Sequence, residues 1–274
     1  MALLLKTLSY LFVFIFGIYL IICAYLYFNQ DEILFYPQPI SKKNVAGILQ
    51  NYPSFDTLGL KMKDGNIVYS YISKDTIKSK RPIVLYFGGN AEEVSHLANY
   101  KKYFPDAIMV LVNYRGYGLS QGKPAEQTMF SDALEVYDNL VTKSKVDANN
   151  ITVIGRSIGT GVATYLSSQR RVKSTVLFTP YESMIDVAQE KYSFIPIQLI
   201  IKHPFNSKEF AKQVSTPVLA LIAKNDNVIP PKHAYNLLKQ WKGKTNTLEL
   251  DEDHISIINN EEAWLRIEKF VIEK

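Results

Sequence analysis

Three residues with the chemistry for acyl transfer follow one another along the chain as Ser157, Asp226 and His254. A serine hydroxyl is a weak nucleophile, so it needs a base, and an imidazole base needs a carboxylate to orient it. These residue types in this order predict nucleophilic catalysis. Ser157 is the predicted nucleophile, His254 the general base and Asp226 the orienting acid.

Ser157 lies at the centre of Gly155-Arg156-Ser157-Ile158-Gly159. The apolar, β-branched run 151–154 predicts a buried strand before it, and 160–166 predicts a helix after it. A serine at a sharp turn from strand to helix is a nucleophile elbow, whereas the motif without that context is only a tight turn. The two supporting glycines, which let strand and helix pass closely, are Gly155 and Gly159.

The base is chosen by position relative to the predicted strands. Only His254 directly follows a strand, 247–250, where ligands bind in a parallel sheet. His96 falls in a predicted helix, His203 in a segment between strands, and His233 at a helix start, where an exposed or capping role is ordinary. His254 is therefore the predicted base, and a solvated loop histidine is the alternative.

The acid follows the predicted strand 217–223, in the loop that contains Asp226. An aspartate in such a loop also suits a simple turn. Asp251 and Asp253 are rivals, but they lie too close to His254 in the chain to reach its far ring nitrogen. Asp226 is the predicted partner.

The oxyanion of an acyl-transfer intermediate needs preorganised N–H donors. Ile158 supplies one predicted backbone donor. The strand 83–87 runs into Gly88-Gly89-Asn90-Ala91, and the Asn90 backbone N–H is the second predicted donor. Gly88 and Gly89 allow the close approach. A phosphate cradle is the alternative for this loop, but both phosphate-binding glycine motifs are missing.

Strands and helices alternate after a hairpin at 58–72, which turns at Asp64-Gly65. This order predicts an α/β fold with a mostly parallel central sheet and helices on both faces. The chain of 274 residues suits one such domain.

The segment from Thr7 to Gln30 contains no charged residue. It is long enough to cross a bilayer core of about 30 Å as a helix. We therefore predict an uncleaved membrane anchor at 1–30; the alternative is a signal peptide, which has a shorter apolar run and a small-residue cleavage site. Lys6 before the span and Asp31 after it predict a cytoplasmic N-terminus and a periplasmic or lumenal catalytic domain.

The predicted organisation continues with a connector at 31–57 and a catalytic domain at 58–274, with a lid-like insert at about 181–215. The apolar run 193–201 inside the insert has two interpretations. It forms an acyl-binding wall near the membrane, or it is a buried helix that packs on the core.

Charge and cysteine content exclude other classes. The net charge is +5, but the basic pairs are scattered and no nucleic-acid-binding fold is apparent, so no nucleic-acid partner is expected. The single cysteine, Cys23, cannot form an intrachain disulfide. No clustered ligands suggest a metal, and no cofactor is expected.

On these motifs the chain resembles the α/β-hydrolase superfamily over 58–274. More narrowly, it resembles small membrane-anchored serine hydrolases that include acyl-protein thioesterase-like and lysophospholipase-like members. In those relatives a His-Gly-Asn-Ala-like motif stands where this chain has Gly88-Gly89-Asn90-Ala91, so the histidine is replaced. The turn at 114–118 with Ser120 is also typical, and is interpreted as scaffolding at the rim of the site.

The resemblance implies hydrolysis of carboxylic esters or thioesters, with a small-molecule or lipid acyl substrate. Two alternatives stay open. One is a serine peptidase or aminopeptidase of the same fold, and the other is a catalytically silent, membrane-tethered interaction protein.

Overall fold

The computed structural model describes residues 1–74 and 79–272. Its centre is an eight-stranded sheet in the order β1-β2-β4-β3-β5-β6-β7-β8. The strands are β1 Phe55–Lys61, β2 Ile67–Ser73, β3 Arg81–Phe87, β4 Ile108–Val112, β5 Val146–Arg156, β6 Ser174–Phe178, β7 Val218–Ala223 and β8 Thr245–Leu250. β1 and β2 form an antiparallel hairpin, β2 is antiparallel to β4, and the pairs from β4 to β8 are parallel. The predicted α/β fold with a mostly parallel sheet is confirmed.

Helices cover both faces of this sheet. The α-helices are α1 Ala2–Leu34, α2 Lys42–Asn51, α3 Glu126–Val141, α4 Ile158–Gln169, α5 Met184–Lys191, α6 Ile197–Ile200, α7 Ser207–Ala211, α8 Pro231–Leu238 and α9 Glu261–Ile272. Successive side chains of a strand point to opposite faces. Accordingly, Leu85 and Phe87 of β3 belong to one core cluster, while Val84 and Tyr86 belong to the other.

Two predicted segments differ in detail. The segment 31–57 was expected to be a surface connector, but it contains α2, whose N-terminus is capped by the Ser41 side chain and whose Val45 is buried. The predicted helix after the glycine loop is a 3-10 helix, Val94–Tyr103. Part of the predicted polar loop 73–81, namely 75–78, lies outside the described residues.

α1 is long and apolar enough to cross a membrane. It runs to Leu34, four residues beyond the predicted end of the anchor at residue 30. The segment 181–215, which we call the lid segment, contains α5, α6 and α7 and packs against α1. Ile195 and Ile197 of the lid segment form a small apolar cluster with Cys23 of α1, separate from the clusters of the sheet. The run 193–201 therefore packs on α1 rather than as a buried helix on the main core.

Candidate active site

Ser157 stands at a strained turn between β5 and α4. Its backbone has φ 51° and ψ −121°, a conformation with positive φ that a non-glycine residue adopts only when the surroundings enforce it. A Cβ atom on Gly155 would lie 2.3 Å from the Gly159 carbonyl oxygen, and one on Gly159 would lie 2.3 Å from that of Phe87. Both flanking positions therefore require glycine, because backbone atoms occupy the space of a side chain.

Ser157, His254 and Asp226 are connected by hydrogen bonds. The Ser157 Oγ is 2.9 Å from Nε2 of His254. The Nδ1 of the same ring is 2.7 Å from Oδ2 of Asp226. Only 1% of the Asp226 side chain and 12% of the His254 side chain are exposed, so water competes weakly for these contacts. The structure brings together all three residues that the sequence singled out.

The second carboxylate oxygen of Asp226 is also occupied. The Val228 and Ile229 backbone N–H groups donate to Oδ1 at 2.8 and 2.7 Å, which fixes the carboxylate in its loop. The rivals serve elsewhere: Asp253 accepts from N–H groups of its own turn, and Asp251 accepts from the Asn225 side chain.

One predicted oxyanion donor belongs to the residue after Ser157, and the other to the glycine loop, where a Cβ built on Gly89 would lie 3.7 Å from the Ser157 Cβ. Ile158 is the first residue of α4, so its N–H has no acceptor within the helix. Asn90 follows β3, and both residues line the same cavity as Ser157. The Asn90 carbonyl accepts from Tyr117 Oη and from the Tyr36 backbone N–H, the latter at 3.1 Å.

Further bonds hold the glycine loop in place. The Tyr114 hydroxyl donates to the Gly88 carbonyl at 3.0 Å, so the turn at 114–118 contacts the loop directly. The Asn90 side-chain amide donates to the Leu34 carbonyl at 3.1 Å. The loop is therefore tied both to a tyrosine turn and to the last residue of α1.

Glu92 is a buried acid at the centre of this loop. Its Oε2 accepts from the Gly89 backbone N–H at 2.6 Å and lies 3.2 Å from Nη1 of Arg156. Its Oε1 is 3.2 Å from Nε2 of His96, and the Tyr86 hydroxyl donates to both oxygens. Glu92 thereby joins the glycine loop to the residue that precedes Ser157.

The charges around Glu92 shift its titration. Burial alone would raise its pKa, but the His96 hydrogen bond, the Arg156 charge and the Gly89 N–H outweigh it, and the pKa is lowered. Burial opposes protonation of His96, but the Glu92 carboxylate prevails and raises the His96 pKa. Arg156 also reaches 3.5 Å from the His254 carbonyl through Nη2, so one guanidinium bridges the two loops beside Ser157.

Ser157 and His254 open into a cavity of about 820 Å³. Its size is that of a small-molecule site, and most of its wall is apolar. Its polar lining includes Glu92 and Arg156 beside Ser157, and Gln30, Lys191 and His203 of α1 and the lid segment. The apolar wall comes from three parts of the chain: Leu26, Ile33 and Leu34 of α1; Met184, Val187, Ala188, Ile197, Ile200 and Ile201 of the lid segment; Val228, Ile229 and Ile255 beside Asp226 and His254.

Two further histidines have structural partners. His203 Nε2 is 2.8 Å from Asp31 Oδ1, at the end of α1. His233 was expected to be exposed or capping, which is wrong: only 3% of it is exposed, and it lies between Glu182 and Glu190 at 2.8 and 2.7 Å. Within residues 1–74 and 79–272, no group of three or more His, Cys, Asp or Glu side chains is arranged to hold a metal ion.

Comparisons with known proteins agree with this architecture. The model of the Dienelactone hydrolase family matches residues 119–252, which include Ser157 and Asp226. The Alpha/beta hydrolase domain-containing protein WAV2 of Arabidopsis thaliana is 23% identical over 230 residues, 74% of this chain and 73% of that protein. The Lysophosphatidylserine lipase ABHD12 of Danio rerio is 30% identical over 192 residues, 61% of this chain and 50% of that protein.

Among solved structures, the Pyrococcus furiosus esterase Pf2001 superposes with a TM-score of 0.68 at 15% identity, over 87% of this chain and 98% of that one. The chain belongs to the α/β-hydrolase superfamily. The family match and the lipase relative support a hydrolase activity.

In this α/β-hydrolase, Glu92 fills the space beside the position where the expected motif carries histidine. A Cβ atom on Gly88 would lie 2.9 Å from Val94 Cγ1 and 3.0 Å from Glu92 Oε2. A side chain at position 88 would therefore meet the buried Glu92 carboxylate, which lies four residues further along the chain. Sequence inspection missed both Glu92 and Arg156. The available signal was one charged residue next to the glycine loop 88–91 and one within the elbow 155–159, both otherwise made of small or apolar residues. A charge buried at such a place is nearly always paired, so each residue predicts a partner for the other.

Proposed function

We propose that this hydrolase cleaves carboxylic esters or thioesters of lipid-like acyl groups through an acyl-enzyme on Ser157. The observation that carries the proposal is the hydrogen-bonded chain from Asp226 through His254 to Ser157, whose serine and histidine line a mostly apolar cavity. Each atom-to-atom distance in it is that of a hydrogen bond, which is the geometry that a base and its nucleophile need.

In the proposed reaction, His254 Nε2 takes the Ser157 proton as Oγ attacks the acyl carbonyl. Asp226 keeps the proton on Nδ1 and stabilises the imidazolium. The Ile158 and Asn90 backbone N–H groups stabilise the oxyanion. The imidazolium protonates the leaving alkoxide or thiolate. His254 then takes a proton from a water that attacks the acyl-enzyme carbonyl, and it returns that proton to Ser157 Oγ as the bond between Oγ and the acyl carbon breaks and the carboxylic acid leaves.

The cavity wall supports a long acyl chain as the group that is transferred. Aliphatic side chains from three segments surround the space next to Ser157, and burial of an acyl chain there gains about 0.8 kcal/mol for each methylene group. A relative of this chain is named as a lysophosphatidylserine lipase, which accords with an acyl substrate. Peptide hydrolysis would use the same three residues, but an apolar wall gives a peptide backbone few partners.

We also propose that α1 anchors the hydrolase in a membrane. Its residues from Leu8 to Phe28 are largely exposed and apolar, as in a helix that faces lipid. Lys6 on one side and Asp31 on the other favour a cytoplasmic N-terminus and a catalytic domain outside the cytosol.

The test is labelling of the detergent-solubilised full chain with a fluorophosphonate, which reacts with activated serines. We expect labelling of the wild type and of the control Ser131→Ala, whose serine is exposed on α3. Labelling should disappear in Ser157→Ala and fall at least a hundredfold in His254→Ala. A folded wild type that neither labels nor hydrolyses any p-nitrophenyl ester would refute the proposal and favour a silent tethering protein.

A further inference from the structure

The end of the apolar helix α1 forms part of the site rather than a tether beside it. Leu26, Gln30, Ile33 and Leu34 all line the cavity that contains Ser157. Gln30 follows Leu26 by four residues, and Ile33 and Leu34 follow Gln30 by three and four residues, so all of them lie along one side of the helix. The same helix therefore supplies both the apolar span and one wall of the cavity.

Polar contacts fix this wall in position. Gln30 donates to the Ile200 carbonyl at 2.8 Å through Nε2 and accepts from the Lys202 N–H at 2.6 Å through Oε1. Asp31 pairs with His203 at 2.8 Å, and the Tyr19 hydroxyl donates to the Phe194 carbonyl at 3.0 Å. α1 and the lid segment are thus joined along more than two turns of helix.

The junction lies at the level where the span leaves the bilayer. From Thr7, the residue after Lys6, to Tyr27 the helix rises about 30 Å, the thickness of a bilayer core. Beside this level the lid segment exposes Phe194 and Leu199, which are 68% and 84% accessible. Large apolar side chains this exposed, next to a membrane-spanning helix, suit contact with lipid.

We propose that α1 is the selectivity wall of the active site: an acyl chain enters sideways from the bilayer between α1 and the lid segment, and Leu26 and Ile33 determine which chain lengths reach Ser157. The substrate class is a membrane-resident amphiphile with one long acyl chain in ester or thioester linkage. This inference rests on the proposed function. It goes beyond that function because it assigns recognition to residues of the anchor.

The decisive variants narrow the cavity next to α1 and leave the reacting groups unchanged. Leu26→Trp and Ile33→Trp place an indole in the acyl path, while Leu20→Trp puts the same side chain on an exposed part of α1, outside the cavity. Each full-length protein is assayed in mixed micelles with p-nitrophenyl acetate and p-nitrophenyl palmitate, beside fluorophosphonate labelling.

We expect the ratio of palmitate to acetate kcat/KM to fall at least tenfold in Leu26→Trp and Ile33→Trp and to stay within twofold of wild type in Leu20→Trp. An unchanged ratio in labelled, folded Leu26→Trp and Ile33→Trp would overturn the inference and leave the proposed function intact. Absence of labelling and turnover in the wild type would instead overturn both.

If the tryptophan variants do not fold, Leu26→Ala and Ile33→Ala give the opposite perturbation. They widen the cavity next to α1, so the acyl-chain length with the highest kcat/KM should increase by two or more carbons. An unmoved optimum in both alanine variants would again refute the wall.

Discussion

The contact between Glu92 and Arg156 predicts a coupled loss of stability and activity. Glu92→Gln keeps the shape of the side chain and an oxygen for the Gly89 N–H, but it removes the charge opposite a guanidinium of which 13% is exposed. Breaking one partner of a buried ion pair costs about 3–5 kcal/mol. Because the amide retains one hydrogen bond, we expect about 2–4 kcal/mol, which lowers Tm by about 5–15 °C in a chain of this size.

The catalytic consequence follows from the Gly89 N–H bond. It positions the loop that carries the proposed Asn90 donor, and loss of one oxyanion donor costs about 10²–10³ in kcat. A loosened loop should lose less, so we expect kcat to fall about 10–100-fold on p-nitrophenyl acetate with KM changed less than threefold. Glu261→Gln, at an exposed glutamate at the start of α9, is the matched control and should match wild type.

A double-mutant cycle separates the ion pair from general damage. Arg156→Leu removes the unpaired charge that Glu92→Gln leaves behind. The double variant should therefore lose about 1.5–3 kcal/mol less unfolding free energy than the two single variants lose together. Unfolding by heat and denaturant measures this. Wild-type Tm and kcat in Glu92→Gln, or strictly additive losses in the cycle, would refute the reasoning.

Three other predictions concern single positions. Asp226→Asn should lower kcat about 10³–10⁴-fold by releasing the imidazole tautomer, whereas Asp253→Asn, at a turn aspartate, should change kcat less than threefold. Gly159→Ala should prevent folding or activity because its Cβ meets a backbone carbonyl oxygen at 2.3 Å; Gly47→Ala, with nothing within 4 Å in α2, should raise stability by about 0.5–1 kcal/mol. Burial raises the pKa of Glu126 to about 7, against a weaker opposing hydrogen bond from a backbone N–H. Between these pH values the folded state therefore holds a proton that the unfolded state has lost, so the free energy of unfolding falls as the pH rises from about 4.5 to 7. Glu126→Gln should remove that fall, which raises the free energy of unfolding by about 2 kcal/mol at pH 8 and changes it little at pH 4.

Each of these has a clear contrary result. Equal kcat losses in the two asparagine variants would contradict the role of Asp226, and an active, stable Gly159→Ala would contradict the close approach at the elbow. If thermal melts give the same stability difference between wild type and Glu126→Gln at pH 4 and at pH 8, the raised pKa would be contradicted.

Sequence patterns were most informative where the chemistry is local. The elbow of Ser157 needs a strand, two glycines and a helix within about fifteen residues, and each part is visible in the sequence. Asp226 and His254 could be chosen because the carboxyl ends of parallel strands meet at one edge of the sheet. The fold class followed from the same alternation of strands and helices.

Contacts between distant segments were not predictable in this way. Glu92 and Arg156 stand 64 positions apart by their numbers in the sequence, and their pairing depends on the register of β3 beside β5. The helix α2 was missed although Val45, Ile48 and Leu49 have helical spacing, because prolines at 37, 39 and 53 flank it and indicated a connector. The position of Leu26 and Ile33 in the wall of the cavity was not predictable, because an apolar span indicates only that a helix can contact lipid.

The hydrogen bond from Asn90 to the Leu34 carbonyl has a consequence for release of the catalytic domain from the proposed membrane anchor. Here, a cut after α1 and departure of that helix would remove a wall of the cavity and a support of the oxyanion loop at once. Shedding would therefore act as an off switch, and a soluble fragment that begins at β1 would be an incomplete enzyme.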